Sequence, residues 1–315
     1  MSAPSVSVLI PCYNAAKFIG ETLDSVLSQT WAVTQIVVVD DGSTDESIAE
    51  VERIKDSRVK LIRQANRGQT AALNVCLQAS TGDYVQYLDA DDLLAPGKID
   101  AQMRRLVEHP SAVATCEWSR FVTSPDEASF TPDLTWRDHA PLDWLHADRS
   151  GRGSMMFPAM WLIPATVAKA AGPWNEELTL NNDAEYFTRV VLAASSVLFC
   201  PGARVYYRSG VSGSLSGLKS LEGWKSQFNV LDLCEKSVLA AEDSERMRLA
   251  FAQSWQDLAH ACYPYTAEVS GDALARARAL HPLKRRPSGG PTFQFVASVI
   301  GWRAARKLQV WTGRT

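Results

Sequence analysis

The segment Tyr84-Val85-Gln86-Tyr87-Leu88-Asp89-Ala90-Asp91-Asp92-Leu93-Leu94 joins two halves of opposite character. Its apolar and aromatic start reads as a buried sheet strand. Its end sets three carboxylates within four residues, and carboxylates are costly to desolvate unless they find partners. One reconciliation is a strand whose C-terminal end opens into a site and holds a hard divalent cation. Mg²⁺ or Mn²⁺ takes oxygen ligands from one or two carboxylates plus a substrate's phosphates. The other is an acidic loop that caps the next helix.

Upstream, strands and helices alternate. Ser5–Ile10 is a strand, closed by Pro11 and the turn Cys12-Tyr13-Asn14. A helix is expected over 16–29, with Ile19, Leu23, Val26 and Leu27 on one face. Gln35–Val39 is nearly continuous in apolar residues, as in a strand covered on both faces. It ends at Asp40-Asp41-Gly42-Ser43-Thr44-Asp45, where Gly42 marks a tight turn and Ser43 to Asp45 offer N-caps. A strand over Val59–Ile62, the turn Asn66-Arg67-Gly68 and a helix over 70–79 lead back to the opening segment. Such alternation implies right-handed βαβ units and an α/β fold, a mostly parallel central sheet with helices on both faces. Ligands of these sheets bind beyond the carboxyl ends of the strands, and three of those ends (11–14, 40–45 and 89–92) are polar here.

Downstream, the pattern predicts a helix from Pro96 to about residue 108, a strand over 113–122 and a loop-rich stretch from 123 to about 150. It then predicts helices over 165–171 and 183–194, a strand over 196–200 and an irregular Ser/Gly-rich segment over 204–216. From about 219 only helices are expected, then a basic Pro/Gly-rich linker at 282–291 and one final helix over 292–311. Two domains follow, 1–218 and 219–315.

At 315 residues, 46% hydrophobic and 21% charged, the composition is that of a globular chain with a substantial core. A net charge of −3 gives no field that calls for nucleic acid. The charge is unevenly placed: beyond Asp272 there are nine basic residues and no acidic one, which leaves −12 on residues 1–272. The six cysteines are scattered, without a zinc-type cluster. With no signal peptide and no apolar run near the ~18 residues of a span, a reducing, cytoplasmic setting with free thiols is expected. There is no G-x-G-x-x-G after the first strand and no G-x-x-x-x-G-K-[ST], which argues against a Rossmann dehydrogenase or a P-loop NTPase.

Four stretches, taken together and in this order, resemble the family 2 glycosyltransferases of GT-A fold: Val6-Ser7-Val8-Leu9-Ile10-Pro11-Cys12-Tyr13-Asn14, Val37 to Asp45, Asn66-Arg67-Gly68 with Ala72-Leu73-Asn74, and Leu88-Asp89-Ala90-Asp91-Asp92. The likeness spans about residues 5–216. It implies transfer of a sugar from a nucleoside-diphosphate sugar, UDP favoured with GDP and dTDP open, usually with inversion at the anomeric carbon. It also implies a nucleotide-sugar half over about 1–92 and an acceptor half over about 93–218. The acceptor class it suggests is a glycan or lipid-linked glycan, in cell-surface polysaccharide or glycolipid synthesis.

By this resemblance Asp89 and Asp91 form a D-x-D element. Asp91 is the direct ligand of Mn²⁺ or Mg²⁺, Asp89 lies nearer the ribose or the metal's waters, and Asp92 is structural. Pro11, Tyr13, Asn14, Asp41, Asn66, Arg67, Asp89 and Ala90 line the donor site, with Asp41 on the base and Tyr13 stacked on it. Packing of Tyr13 within its turn is the alternative. Asp40 serves either the turn or the ligand, and Arg67 either pairs with a phosphate or lies over the base, or is a plain surface arginine.

An inverting transfer needs a general base for the acceptor hydroxyl. Aligned on Arg189, Asp183 takes that position. Asn182 replaces the family's usual Glu, Glu185 is the rival, and a simple helix N-cap is the other reading of Asp183. Gly210 stands where relatives often carry a His two residues after Tyr207-Arg208, so Arg208 or the loop backbone would substitute. Trp136, Asp138 and His139 are candidates for an acceptor wall, or for loop packing. Two other functions stay open, a sugar-phosphate nucleotidyltransferase and a non-catalytic nucleotide-sugar binding module.

In the tail, Phe293, Val296, Ile300, Ala304, Leu308 and Trp311 fall on one helical stripe flanked by Arg303, Arg306 and Lys307. The stripe either packs on a domain or binds the inner face of an anionic membrane peripherally.

Overall fold

The structure, a computed structural model, describes residues 3–150, 155–211, 220–282 and 290–312. It divides into two compact units, Met1–Ser214 and Leu215–Thr315.

In the first unit the apolar runs become strands and the amphipathic stretches helices, in the order β1 (Val6–Cys12), α1 (Ile19–Leu27), β2 (Gln35–Asp40), α2 (Ser47–Arg53), β3 (Val59–Arg63), α3 (Gln69–Ala79) and β4 (Tyr84–Tyr87). Next come β5 (Leu93–Leu94), α4 (Lys98–Leu106), β6 (Val113–Phe121), α5 (Pro141–Ser150), β7 (Ile163–Pro164), α6 (Ala165–Ala171), α7 (Asn182–Ala193) and β8 (Val197–Arg208). The larger sheet has the order β3-β2-β1-β4-β7. Its first four strands are parallel, and β7 adds an antiparallel edge. All seven residues of β1 are buried, as expected of the central strand of a sheet covered on both faces. The direction of crossover reverses between β1 and β4. That is the topological switch point, where such sheets open a crevice, and it sets the end of β1 beside Asp89.

A smaller sheet has the order β5-β8-β6. Here the structure corrects the expected irregular segment from 204. β8 runs on to Arg208, pairing Arg204–Arg208 with Glu117–Phe121. The register shifts at Cys116/Glu117, so Pro201-Gly202-Ala203 form a bulge that hides the strand's continuity in the sequence. Residues 212–216 of that segment lie outside the described residues. The region from 123 to 150, read as loops, ends in helix α5, which exists to bury Trp144 and Leu145. The Trp144 ring packs edge-on against Trp161 at 4.9 Å.

The second unit is helical: α8 (Leu221–Ala241), α9 (Glu245–Cys262), α10 (Ala267–Leu280), α11 (Pro291–Ile300) and α12 (Trp302–Trp311). Ser220, Ser244 and Thr266 cap the first three, each side-chain oxygen accepting from a backbone N–H in the first turn. The single final helix of the sequence reading is broken at Gly301, whose φ of 81° leaves the helical region. Most of the linker read at 282–291 lies outside the described residues. All six cysteines are buried free thiols. Among the described residues no helix is long and apolar enough to cross a membrane.

Candidate active site

The site is assembled at the carboxyl ends of β1, β2 and β4. Asn14 adopts a left-handed φ of 50°, and its two polar groups stitch the β1 loop to the β2 loop. Its N–H donates to Ser43 Oγ at 2.9 Å, and its Oδ1 accepts from the Thr44 N–H at 2.8 Å. This bend buries Pro11 and turns Tyr13 outward, leaving it 52% exposed. Tyr13 is therefore not packed into its turn.

The two aspartates at the carboxyl end of β2 divide the work. Asp40 Oδ2 accepts from the N–H groups of Gly42 and Ser43, holding the turn. Asp41 is buried and takes three bonds from the opposite loop: Gln64 Nε2 at 2.7 Å, the Arg67 N–H at 2.9 Å and the Gly68 N–H at 2.8 Å. It thus fixes the Asn66-Arg67-Gly68 turn. Only glycine fits at 42, where a Cβ would come within 2.9 Å of the Asn66 nitrogen.

The carboxylates after β4 sit on a backbone clamped from two sides. From α1, the buried Thr22 hydroxyl lies 2.9 Å from the Ala90 carbonyl and 3.0 Å from that of Asp92. From β8, Arg208 donates its backbone N–H to Asp92 Oδ1 at 2.8 Å and its Nε–H to the Asp91 carbonyl at 2.8 Å. Its guanidinium lies between the faces of Phe121 and Phe18, 4.4 and 4.9 Å from their centres, and reaches Glu21 at 2.6 Å. Arg208 is thus engaged in holding this loop. Gln69, the second residue past Arg67, donates to Asp89 Oδ1 at 3.0 Å.

Electrostatically the cluster is short of positive charge. Burial, then the neighbouring Asp91, pushes Asp89 up to about 7. Burial raises Asp91 while Arg208 opposes the rise. Asp92 is raised well above the usual range by burial and then by Asp89 and Asp91, and its Oδ2 is buried without a hydrogen-bond partner. Carboxylates desolvated side by side stay ionised only when a cation neutralises them. The donor set therefore fits a hard divalent ion on Asp91 and Asp89. Among the described residues no group of three or more His, Cys, Asp or Glu could hold a metal ion.

Asp183 faces the same cluster from α7. Burial and then Asp89 raise it well above the carboxylate range, and its Oδ1 is buried with no hydrogen-bond partner. It is not the helix cap, because the cap position is Asn181, with a left-handed φ of 59°. Glu185, the rival, is committed elsewhere: its two oxygens accept from Arg189 Nε at 2.7 Å and an Arg189 terminal nitrogen at 2.8 Å. Arg189 also donates to the carbonyls of Ala171 and Pro173. The helix is held to β4 by aromatics. Tyr186 stacks on Trp174 at 4.0 Å, and its hydroxyl meets that of Tyr87 at 2.8 Å.

A second tie joins α3 to the turn before α7. Asn74 is buried, accepts from the Trp174 N–H at 2.8 Å and donates to the Trp174 carbonyl at 3.0 Å and to Glu176 Oε1 at 2.9 Å. Glu176 Oε2 pairs with Arg67 at 2.9 Å, so the exposed Arg67 is aimed at this turn rather than left in solvent. Thr22, Gln69 and Glu176 belong to the site's framework, and the first two carry no motif in the sequence. Thr22 leaves one trace, a polar residue inside the apolar stripe of α1.

Trp136, Asp138 and His139 lie elsewhere. His139 pairs with Val197 at the start of β8, Asp138 binds Arg105 through both oxygens and accepts from the Phe199 N–H, and Trp136 stacks on Phe199 at 5.5 Å. Phe199 is in register with Thr115, and Arg208 with Phe121. Six strand residues at roughly 3.3 Å each put these groups on the order of 20 Å from the carboxylate end. The structure gives them the loop-packing role and takes the acceptor wall away from this position.

The model of the family described as glycosyl transferase family 2 matches residues 7–156, the span that holds β1 to β6 and every donor-side residue above. Residues 7–156 are a family 2 glycosyltransferase domain. An uncharacterized glycosyltransferase of Haemophilus influenzae is 37% identical over 112 residues, 35% of this chain and 45% of its own length. The Escherichia coli glycosyltransferase YibD is 35% identical over 158 residues, 48% of this chain and 46% of its own length. The chain spans less than half the length of these curated relatives. The fold is GT-A-like: S. aureus TarS 1–349 superposes with a TM-score of 0.67 at 19% identity, over 98% of this chain and 92% of that one. The same TarS fragment in complex with UDP-GlcNAc gives 0.62 at 18% identity, over the same shares of the two chains.

Proposed function

We propose that this chain transfers a sugar, with inversion, from a nucleoside-diphosphate sugar to a hydroxyl of a glycan or lipid-linked glycan, and that UDP carries the sugar. The preference for UDP is supported by the complexes of TarS with UDP and with UDP-GlcNAc. One observation supports the chemistry above the rest. Asp183 stands beside Asp89 with an unpartnered oxygen, while Glu185 is locked onto Arg189.

In the proposed reaction Tyr13 gives its exposed face to the nucleobase, and the loop held by Asp41 shapes the nucleoside pocket. Asp183 accepts the proton of the acceptor hydroxyl as its oxygen bonds to the anomeric carbon, and the bond from that carbon to the diphosphate oxygen breaks with its electron pair leaving on the nucleotide. A divalent cation held by Asp91 and Asp89 would supply charge neutralisation of the departing diphosphate. Arg208 and Thr22 hold the backbone from which those two carboxylates project. A general base near a buried carboxylate needs a raised affinity for protons, which its surroundings give Asp183.

Asp183→Asn should lower turnover by roughly 10²–10⁴-fold with nucleotide affinity nearly unchanged, while Glu185→Gln should act mainly on stability. Equal turnover in Asp183→Asn and the parent protein would remove Asp183 from the mechanism. Tight nucleotide-sugar binding with no transfer across a broad acceptor panel would favour the binding-module reading.

A further inference from the structure

We infer that the face formed by α11 and α12 docks on an anionic lipid bilayer. α11 carries no charged side chain, and α12 carries three basic residues and no acidic one. The break at Gly301 does not bury their apolar side chains. Phe293 and Ala305 are buried, whereas Phe295 is 72% exposed, Val299 70%, Ile300 51%, Leu308 44% and Trp311 84%. Of the stripe read from the sequence, Phe293 is buried and Val296 half-buried, whereas Ile300, Ala304, Leu308 and Trp311 are exposed. Phe295 and Val299 are one helical turn apart, as are Leu308 and Trp311, so each helix presents its own apolar row. Large apolar side chains clustered in water mark an interaction surface.

The charges identify the occupant. Arg303 and Lys307 are exposed one turn apart on α12, and each lies over the Tyr263 ring at 5.9 Å, with Arg303 also 5.4 Å from the centre of the Trp302 ring. They stand as a basic row beside the apolar one. Beyond Asp272 the sequence holds nine basic residues and no acidic one. A second copy meeting this face symmetrically would set like charges against each other. An anionic headgroup layer over an apolar interior complements both rows, and a terminal tryptophan suits the headgroup level. The attachment lies on the surface, since among the described residues no helix can span a bilayer. This inference stands apart from the sugar-transfer reading and would survive its failure.

Co-sedimentation of the full chain with vesicles tests it. The protein should pellet with phosphatidylglycerol vesicles, not with phosphatidylcholine vesicles, and added salt should release it. A basic residue near an anionic surface contributes about fivefold to partitioning, so Arg303→Gln with Lys307→Gln should weaken binding roughly 25-fold. Phe295→Ser with Val299→Ser and Trp311→Ser should abolish it, with the thermal unfolding of the protein unchanged because none of the three is in the core. The double charge variant keeps every apolar side chain of the face and so reads the proposal even if the triple variant misfolds. Failure to pellet with phosphatidylglycerol, or equal pelleting by the charge variant, overturns the proposal. So does a dimer that the triple variant dissolves while vesicle binding persists.

Discussion

Replacing Arg208 by Met should cost about 3 kcal/mol of stability and weaken the cation site together. The side chain is 6% exposed and does three things at once. Its Nε–H bond to the Asp91 carbonyl, 2.8 Å long, is a charged donor on a buried acceptor, worth about 2 kcal/mol. Its stacking between Phe121 and Phe18 contributes about 1 kcal/mol for each ring in a site so poor in water. The pair with Glu21 counts for little, because that carboxylate is 53% exposed. Methionine fills part of the gap between the rings and returns about 1 kcal/mol, which leaves the stated loss. Arg208 is also the charge that opposes the rise of Asp91, so its removal should make Asp91 take a proton more readily and hold a cation less well. Urea unfolding followed by tryptophan fluorescence gives the first quantity, as a shifted midpoint at constant slope. Calorimetric titration with Mn²⁺ in the presence of UDP gives the second. Arg208→Lys keeps a positive charge without the fork, so it should recover cation affinity more than stability. A loss below about 1 kcal/mol with Mn²⁺ affinity intact would refute the assigned role.

Two further outcomes are expected. Asn74→Ala leaves the N–H and C=O of Trp174 without their partner and should destabilise the protein by about 2–4 kcal/mol, read by the same urea unfolding. Lys98 is fully buried, donates to Gln86 Oε1 and is pushed by burial down to about 8. The unfolded chain then binds more protons than the folded one between pH 8 and the ordinary lysine value of 10.5. Its contribution to stability should therefore rise across that window by roughly 3 kcal/mol, as a difference between the parent protein and Lys98→Met. A difference that stays flat in pH would show that the amine is not held in that environment.

The sequence discloses the parts of this fold whose signal is local. β1, β2 and β4 are largely apolar runs, each leading into a polar loop, so both the strands and the site at their carboxyl ends could be read directly. Of β8 only the start over 196–200 could, because the Pro201-Gly202-Ala203 bulge splits it and half-exposed tyrosines follow. α5 was obscured by Pro141 at its start and by aromatics that read as loop packing. The final helix was overextended because its apolar spacing runs unbroken through Gly301, and only the positive φ there reveals the break. Within the site the carboxylates were legible as chemistry that needs a partner. Their supports were not: Thr22 and Gln69 act across distances in sequence that no spacing rule covers, and Arg208, legible as a candidate ligand contact, was not legible as the clamp on Asp91 and Asp92. For Trp136, Asp138 and His139 the residue types left a sugar-binding wall and loop packing both open, and the register of β6 with β8 puts them at the other end.

The most direct test of the central claim is nucleotide-dependent stabilisation of the full chain. UDP, GDP, dTDP and their sugar conjugates would each be added with and without Mn²⁺, to the parent protein and to Asp91→Ala. UDP and its sugars should raise the unfolding temperature, with about 3 kcal/mol of stabilisation at a hundredfold excess over the dissociation constant. Mn²⁺ should strengthen the effect, and Asp91→Ala should lose that gain. If no nucleotide stabilises the protein under any of these conditions, the crevice at the ends of β1, β2 and β4 is not a donor site, and Asp89, Asp91 and Asp92 form a structural turn.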